Sequence, residues 1–225
     1  MLVRKVGLES DCFMLDATLR RFVDPPLNRI GAGIARAGVS ANAVTIAGFL
    51  IGMAALPLLA GGHYLAALLL ILVNRIFDGL DGAVARQTRL SDFGGYLDIV
   101  FDFIFYSAVA FGFALGDPAH ALPALFLVWS FVGTGTTFLA YAILAERYRI
   151  TTEIRGAKSL YYLGGLTEGT ETIVAMALFC LLPEHFPLLA LIFGAMCWIT
   201  TATRVAAAWM TFGRNPPRLP RDDGR

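Results

Sequence analysis

The chain has 225 residues, of which 57% are hydrophobic and only 16% charged, with a formal net charge of +1. Soluble domains average about 25% charged residues, so a chain this apolar lacks the surface to face water and reads as a membrane protein. The near-neutral balance gives no reason to expect a nucleic-acid partner. Cys12, Cys180 and Cys197 form neither a CxxC pair nor an even set, which argues against a disulfide framework or a zinc site and for small apolar fillers.

In chain order, the first sixteen residues lack the apolar core of a signal peptide. Leu15, Leu19, Phe22, Val23, Leu27, Ile30 and Ile34 then recur at near-helical spacing, with Arg20, Arg21, Arg29 and Arg36 between them. This predicts an amphipathic surface helix, split in two where Pro25 and Pro26 break the run. Six stretches approach the ~20 apolar residues that a membrane crossing requires: 42–60, 64–85, 93–115, 121–145, 157–182 and 187–212. The predicted fold is an all-α polytopic membrane protein, six transmembrane helices preceded by that surface helix. Its predicted parts are a cytoplasmic juxtamembrane segment (1–40), a six-helix catalytic domain (41–212) and a disordered, Pro-rich tail (213–225).

All 18 Lys and Arg residues fall in the N-terminal segment, the second and fourth connections with their flanks, or the last helix and tail. The other connectors have none. The positive-inside rule then places both termini and the second connection on the cytoplasmic side of a multi-pass inner (plasma) membrane protein. His63, His120 and His185 fall on the opposite side and read as solvated loop residues rather than a metal cluster.

Charges within membrane helices are expensive and point to function. Asp78, Asp81, Asp92, Asp98 and Asp102 crowd the second connection, in the segment 78–102, DGLDGAVARQTRLSDFGGYLDIVFD. Asp78 and Asp81 share one helix face at i, i+3, and Asp98 and Asp102 share another at i, i+4. A short connection predicts antiparallel neighbours, so four carboxylates converge at the cytoplasmic boundary with Gly82, Ala85 and Gly94 clearing space. Unpaired, they would repel one another and take up protons. Hard divalent cations, Mg²⁺ or Mn²⁺, resolve that conflict. Beside Arg86, such a cluster suits a diphosphate and a two-metal, in-line displacement at phosphorus. A cation transporter and a purely structural set of Asp–Arg bridges are the alternatives on the residues alone.

Asp78, Asp81, Gly82, Ala85, Arg86, Gly94, Asp98 and Asp102 fill every fixed position of the signature D-x2-D-G-x2-A-R-x(7 or 8)-G-x3-D-x3-D. In this the chain resembles the CDP-alcohol phosphotransferase family. The resemblance implies a transferase of phospholipid synthesis, moving the phosphatidyl group of CDP-diacylglycerol to a small polar alcohol with release of CMP. The mirror reaction, CDP-choline or CDP-ethanolamine with diacylglycerol, is the alternative. It further implies that Asp78, Asp81, Asp98 and Asp102 hold two divalent ions and that Asp102 is the general base. Gly82, Arg86 and Ser91 would contact the CDP-linked lipid donor, as would Asn42 and Thr45 in a PNxxT-like segment that here has Ala41 in place of Pro.

For the acceptor, Arg155, Lys158 and Arg204 are candidates to hold a phosphate, with Arg155 and Lys158 also readable as ordinary positive-inside anchors. Glu168 and Glu171 would meet a polar head group or pair with Arg204. Gly48 and Gly52 form a GxxxG that serves either internal packing or a homodimer.

Overall fold

A computed structural model describes residues 15–148, 166–167 and 169–214, all of them helical or in connecting turns. The helices are α1 (Leu15–Arg36), α2 (Ala41–Met53), α3 (Ala55–Ala60), α4 (Tyr64–Gln87), α5 (Asp92–Gly116), α6 (Ala121–Arg147), α7 (Gly169–Leu181) and α8 (Phe186–Ala208). Short 3₁₀ turns, Pro118–His120 and Pro183–His185, lead into α6 and α8, and a π-helical turn, Trp209–Arg214, follows α8.

Among the described residues, four stretches are long and apolar enough to cross a bilayer: Ala41–Ala60, Asp92–Gly116, Pro118–Arg147 and Pro183–Arg214. This corrects the expectation of six. The α4 helix falls short because Arg75, Asp78, Asp81 and Arg86 occupy it from its midpoint onward, leaving an uninterrupted apolar run of about half a bilayer at 1.5 Å per residue. The α7 helix, Gly169–Leu181, has 13 residues, about 20 Å against a hydrocarbon core of about 30 Å; residues 157–165 and 168 of the expected fifth stretch lie outside the described residues.

The amphipathic surface helix is corrected as well. Leu15–Arg36 is one helix that continues through Pro25 and Pro26. Leu27, Ile34 and Ala35 pack against Leu80 and Val84 of α4 and Val44 of α2, while Val23 and Ile30 stay exposed. Among its described side chains the apolar residues therefore do not form one clear stripe, and it is docked on the bundle. At Gly31 an added Cβ would lie 2.8 Å from the Ala83 Cβ, so the two backbones are in close contact.

The largest core lies toward the end of the bundle that carries the three histidines. There Phe113 stacks on Phe186 with centroids 4.2 Å apart and meets Phe179 edge-on. Leu59, Ile71, Phe105, Leu127 and Met176 complete it. His120 belongs to this core. It is buried between Phe113 and Phe186, which corrects its reading as a solvated loop residue; His63 and His185 are exposed as expected. Cys180 and Cys197 are buried in the same core, as apolar fillers should be. Around the outside, Leu65, Leu69, Leu122, Leu125, Ile143 and Leu188 are all exposed. Such a surface suits lipid rather than water, which accounts for the composition.

At the other end, α2 packs against both α4 and α5, and α3 continues that wedge. The α4 and α5 helices face each other across a gap, bridged by side chains rather than closely packed. The wedge is pinned to α4 at its glycines. An added Cβ at Gly48 would lie 2.5 Å from the Phe77 Cβ, and one at Gly52 would lie 2.8 Å from Asn74 Nδ2. The GxxxG thus serves internal packing. Gly48→Leu should lower the unfolding free energy by about 3 kcal/mol or abolish folding, since the neighbouring atom is next to backbone and cannot swing away. A melting curve in detergent checks this, with Ile46→Leu on the exposed face of α2 expected to leave the midpoint unchanged.

Candidate functional site

The space left between α4 and α5 is a recess. Thr45, Gly48 and Phe49 line it from α2, Arg75, Asp78 and Asp81 from α4, and Asp98, Phe101 and Asp102 from α5. Helical spacing brings each acidic pair to the recess, and the gap between the two helices gives them room to meet.

One carboxylate oxygen each from Asp78, Asp98 and Asp102 lie within 4.8 Å of one another. Two oxygens on opposite sides of a Mg²⁺ ion stand about 4.2 Å apart, given bonds of 2.0–2.1 Å. Neighbouring oxygens on such an ion stand about 2.9 Å apart by the same bond lengths, so a set spread over no more than 4.8 Å can be drawn onto one hard cation by side-chain adjustment. Its donors are all oxygen, which suits Mg²⁺ or Mn²⁺ rather than zinc.

Asp81 lines the same recess but stands apart from that triad. It is buried, and the Thr45 hydroxyl, 2.6 Å from Oδ2, donates to it. This joins two residues that the sequence suggested separately. Asn42 meets the start of α5: an added Cβ at Gly94 would lie 3.0 Å from both Asn42 Oδ1 and Ser91 Oγ. Ser91 caps α5 by accepting from the Gly94 amide at 3.0 Å, a contact of about 1 kcal/mol in such helices. Gly82 faces Arg86, whose Nη1 would lie 3.4 Å from an added Cβ. Arg86 is exposed, and its Nη2 donates to Asn28 Oδ1 of α1 at 3.0 Å. Asp92 is exposed in the first turn of α5, outside the triad.

The acceptor residues divide. Arg155, Lys158 and Glu168 lie outside the described residues. Glu171 is in the first turn of α7. Arg204 is buried on α8, where Nη1 donates to the Thr134 carbonyl at 3.0 Å and the guanidinium stands over the Phe138 ring. Neither Glu171 nor Arg204 lines the acidic recess.

Sequence reasoning passed over three residues here. Arg75 served only to mark a basic flank, yet its side chain is 7% exposed and sits in the recess. Its Nη1 lies 2.9 Å from Asp102 Oδ1 and 3.8 Å from Asp78 Oδ2. The same nitrogen donates to the Tyr106 hydroxyl at 3.1 Å, and Tyr106 donates to Asp102 Oδ2 at 2.9 Å. Asn74 accepts from Arg75 Nε at 2.8 Å and donates to the Gly48 carbonyl at 2.8 Å. The available signal was spacing: Arg75 is three residues before Asp78, and Tyr106 is four after Asp102.

Comparison with known proteins places these residues in context. Residues 38–211 match the family model for CDP-alcohol phosphatidyltransferase. The inner membrane protein YnjF of Escherichia coli is 50% identical over 199 residues, covering 88% of this chain and 97% of that protein. An archaetidylinositol phosphate synthase of Methanothermobacter thermautotrophicus is 26% identical over 197 residues, covering 85% and 90% of the two chains. Among solved structures, the phosphatidylinositol phosphate synthase PgsA1 of Mycobacterium tuberculosis superposes with a TM-score of 0.59 at 22% identity. The match spans 88% of this chain and 97% of that one, which was solved with CDP-DAG bound. A second structure of the same synthase is a complex with manganese and citrate. At these identities the structural likeness is one of fold.

The Thr45–Asp81 contact is open to test. Thr45→Val leaves a buried carboxylate without its short hydrogen bond and should destabilise the protein by about 1–3 kcal/mol. Thr45→Ser keeps the hydroxyl and should stay near the parent midpoint in a thermal melt.

Proposed function

Because this chain belongs to the CDP-alcohol phosphatidyltransferase family, whose type of transfer is its reaction, we propose that it moves the phosphatidyl group of CDP-diacylglycerol to a polar alcohol, a polyol phosphate, and releases CMP. The observation that carries this reading is the meeting of Asp78, Asp98 and Asp102 in one recess beside Asp81. Binding of CDP-DAG and of manganese by PgsA1, a protein of the same fold, supports the donor and the metal. The polyol phosphate rests on two proteins named for inositol phosphate lipids and on the buried Arg204.

In this reading Asp78, Asp81, Asp98 and Asp102 hold two divalent ions, Mg²⁺ or Mn²⁺. Ions bound there would neutralise the diphosphate and the charge that develops on the departing CMP. Asn42, Thr45, Gly82, Arg86 and Ser91 border the donor's nucleotide. Asp102 takes the proton of the acceptor hydroxyl. The freed oxygen attacks the lipid-side phosphorus in line, and the bond between that phosphorus and CMP breaks. Arg204, with Arg155, Lys158, Glu168 and Glu171, forms the acceptor side.

The location we infer is the inner membrane, for which the relative YnjF is named, with multiple crossings and with both termini and the site on the cytoplasmic side. The one-sided distribution of Lys and Arg supports that orientation. A homodimer stays within this reading, with an interface other than Gly48 and Gly52, which are packed internally.

The test is CMP release by purified protein given CDP-diacylglycerol, Mn²⁺ or Mg²⁺, and a panel of alcohols that includes inositol phosphate and glycerol phosphate. Chelation of divalent ions should abolish release and their return restore it. Asp102→Asn should lower kcat about 10²–10⁴-fold, the range of general-base catalysis, with the melting midpoint preserved. Metal flux into sealed vesicles without any donor, and no CMP release with any alcohol, would replace this reading with a transporter.

A further inference from the structure

A run of hydrogen bonds crosses the recess from one wall to the other. It starts at the Gly48 carbonyl on α2, passes through Asn74 and Arg75 on α4, and ends on Asp102 of α5. Tyr106 closes it from one helical turn beyond Asp102. Both Asp102 oxygens are thereby held by side chains of the protein, Oδ1 by Arg75 Nη1 and Oδ2 by Tyr106 Oη, each at 2.9 Å. The guanidinium stands 4.9 Å from the centroid of the Phe105 ring and 5.3 Å from that of Tyr106. Aromatic walls on a side chain only 7% exposed leave Arg75 little freedom to turn away.

We propose that Arg75 is a resident counter-charge of the acidic recess and, with Tyr106, a positioning pair for Asp102. Its two effects have opposite signs. The guanidinium fixes the Asp102 carboxylate, which raises the rate of proton transfer. Its positive charge, against Asp102 and 3.8 Å from Asp78, also repels an arriving divalent cation and weakens that cation's binding. Tyr106 is neutral and contributes only the first effect. The rate half of this inference rests on the functional reading above. The cation half concerns the recess itself and stands without it.

The test is Mn²⁺ binding to the purified full chain, measured by electron paramagnetic resonance, alongside kcat and donor KM from CMP release and a thermal melt. Arg75→Gln should tighten Mn²⁺ binding about tenfold, a modest share of the Coulomb energy of one charge at this range, while kcat falls at least about tenfold. Damage to the fold would weaken binding and rate together, so the opposite movement identifies a counter-charge. Arg75→Lys keeps the charge but not the planar fork. Its Mn²⁺ affinity should stay within about twofold of the parent, with kcat reduced. Tyr106→Phe should lower kcat about tenfold and leave Mn²⁺ affinity and donor KM unchanged.

Equal or weaker Mn²⁺ binding by Arg75→Gln with its melting midpoint preserved would overturn the counter-charge. Should that variant not fold, tighter Mn²⁺ binding by Arg75→Lys would overturn it. An undiminished kcat in Tyr106→Phe would overturn the positioning pair. If the parent protein releases no CMP from any CDP-linked lipid, the functional reading falls, and Mn²⁺ affinity still decides the counter-charge.

Discussion

Carboxylates brought together in a lipid-embedded bundle repel one another and lose their hydration, and neither penalty is tolerated without partners. The recess deals with each acid separately. Asp81 is held by Thr45, and Asp102 by Arg75 and Tyr106. Asp78 and Asp98 complete the oxygen set with Asp102. These partners come from three helices, so the acids can be gathered only if α2, α4 and α5 keep their relative positions. The tight contacts at Gly48 and Gly52, and the bond from Asn74 to the Gly48 carbonyl, secure one of those spacings directly.

What periodicity and spacing could carry was the chemistry of the acids. Two pairs at i, i+3 and i, i+4 are enough to put four carboxylates on facing surfaces, and a run of small residues announces space between them. Thr45 and Asn42 were visible as well, through a resemblance rather than through any physical necessity. Packing between distant segments was not visible. A short connection makes α4 and α5 neighbours, but nothing in it shows that the wedge of α2 and α3 packs against both. Arg75 was overlooked for the same reason: a basic residue near a membrane boundary is usually an anchor, and only the tertiary structure turns it inward.

The count of crossings failed on a different principle. Apolar content alone does not say where along a segment the charges fall, and in α4 they run from its midpoint onward. The helix through Pro25 and Pro26 shows tertiary packing outweighing local propensity, since Leu27, Gly31 and Ile34 hold α1 against its neighbours. His120 illustrates the same override. A histidine in a connector was read as wet, but the turn Pro118–His120 folds its ring back between Phe113 and Phe186.

The α1 helix begins before the segment that matches the family model, yet it lies against the part of α4 that carries the signature, and Asn28 reaches Arg86. The α2 helix bears on the site from the other flank, where Phe49 stacks on Phe101 with centroids 4.1 Å apart. With α4 pinned at two glycines, that ring pair acts as a shim whose thickness sets the aperture between the acidic walls. Residues 49 and 101 bear no charge, so the width of the opening is set by apolar bulk, separately from the carboxylates that line it.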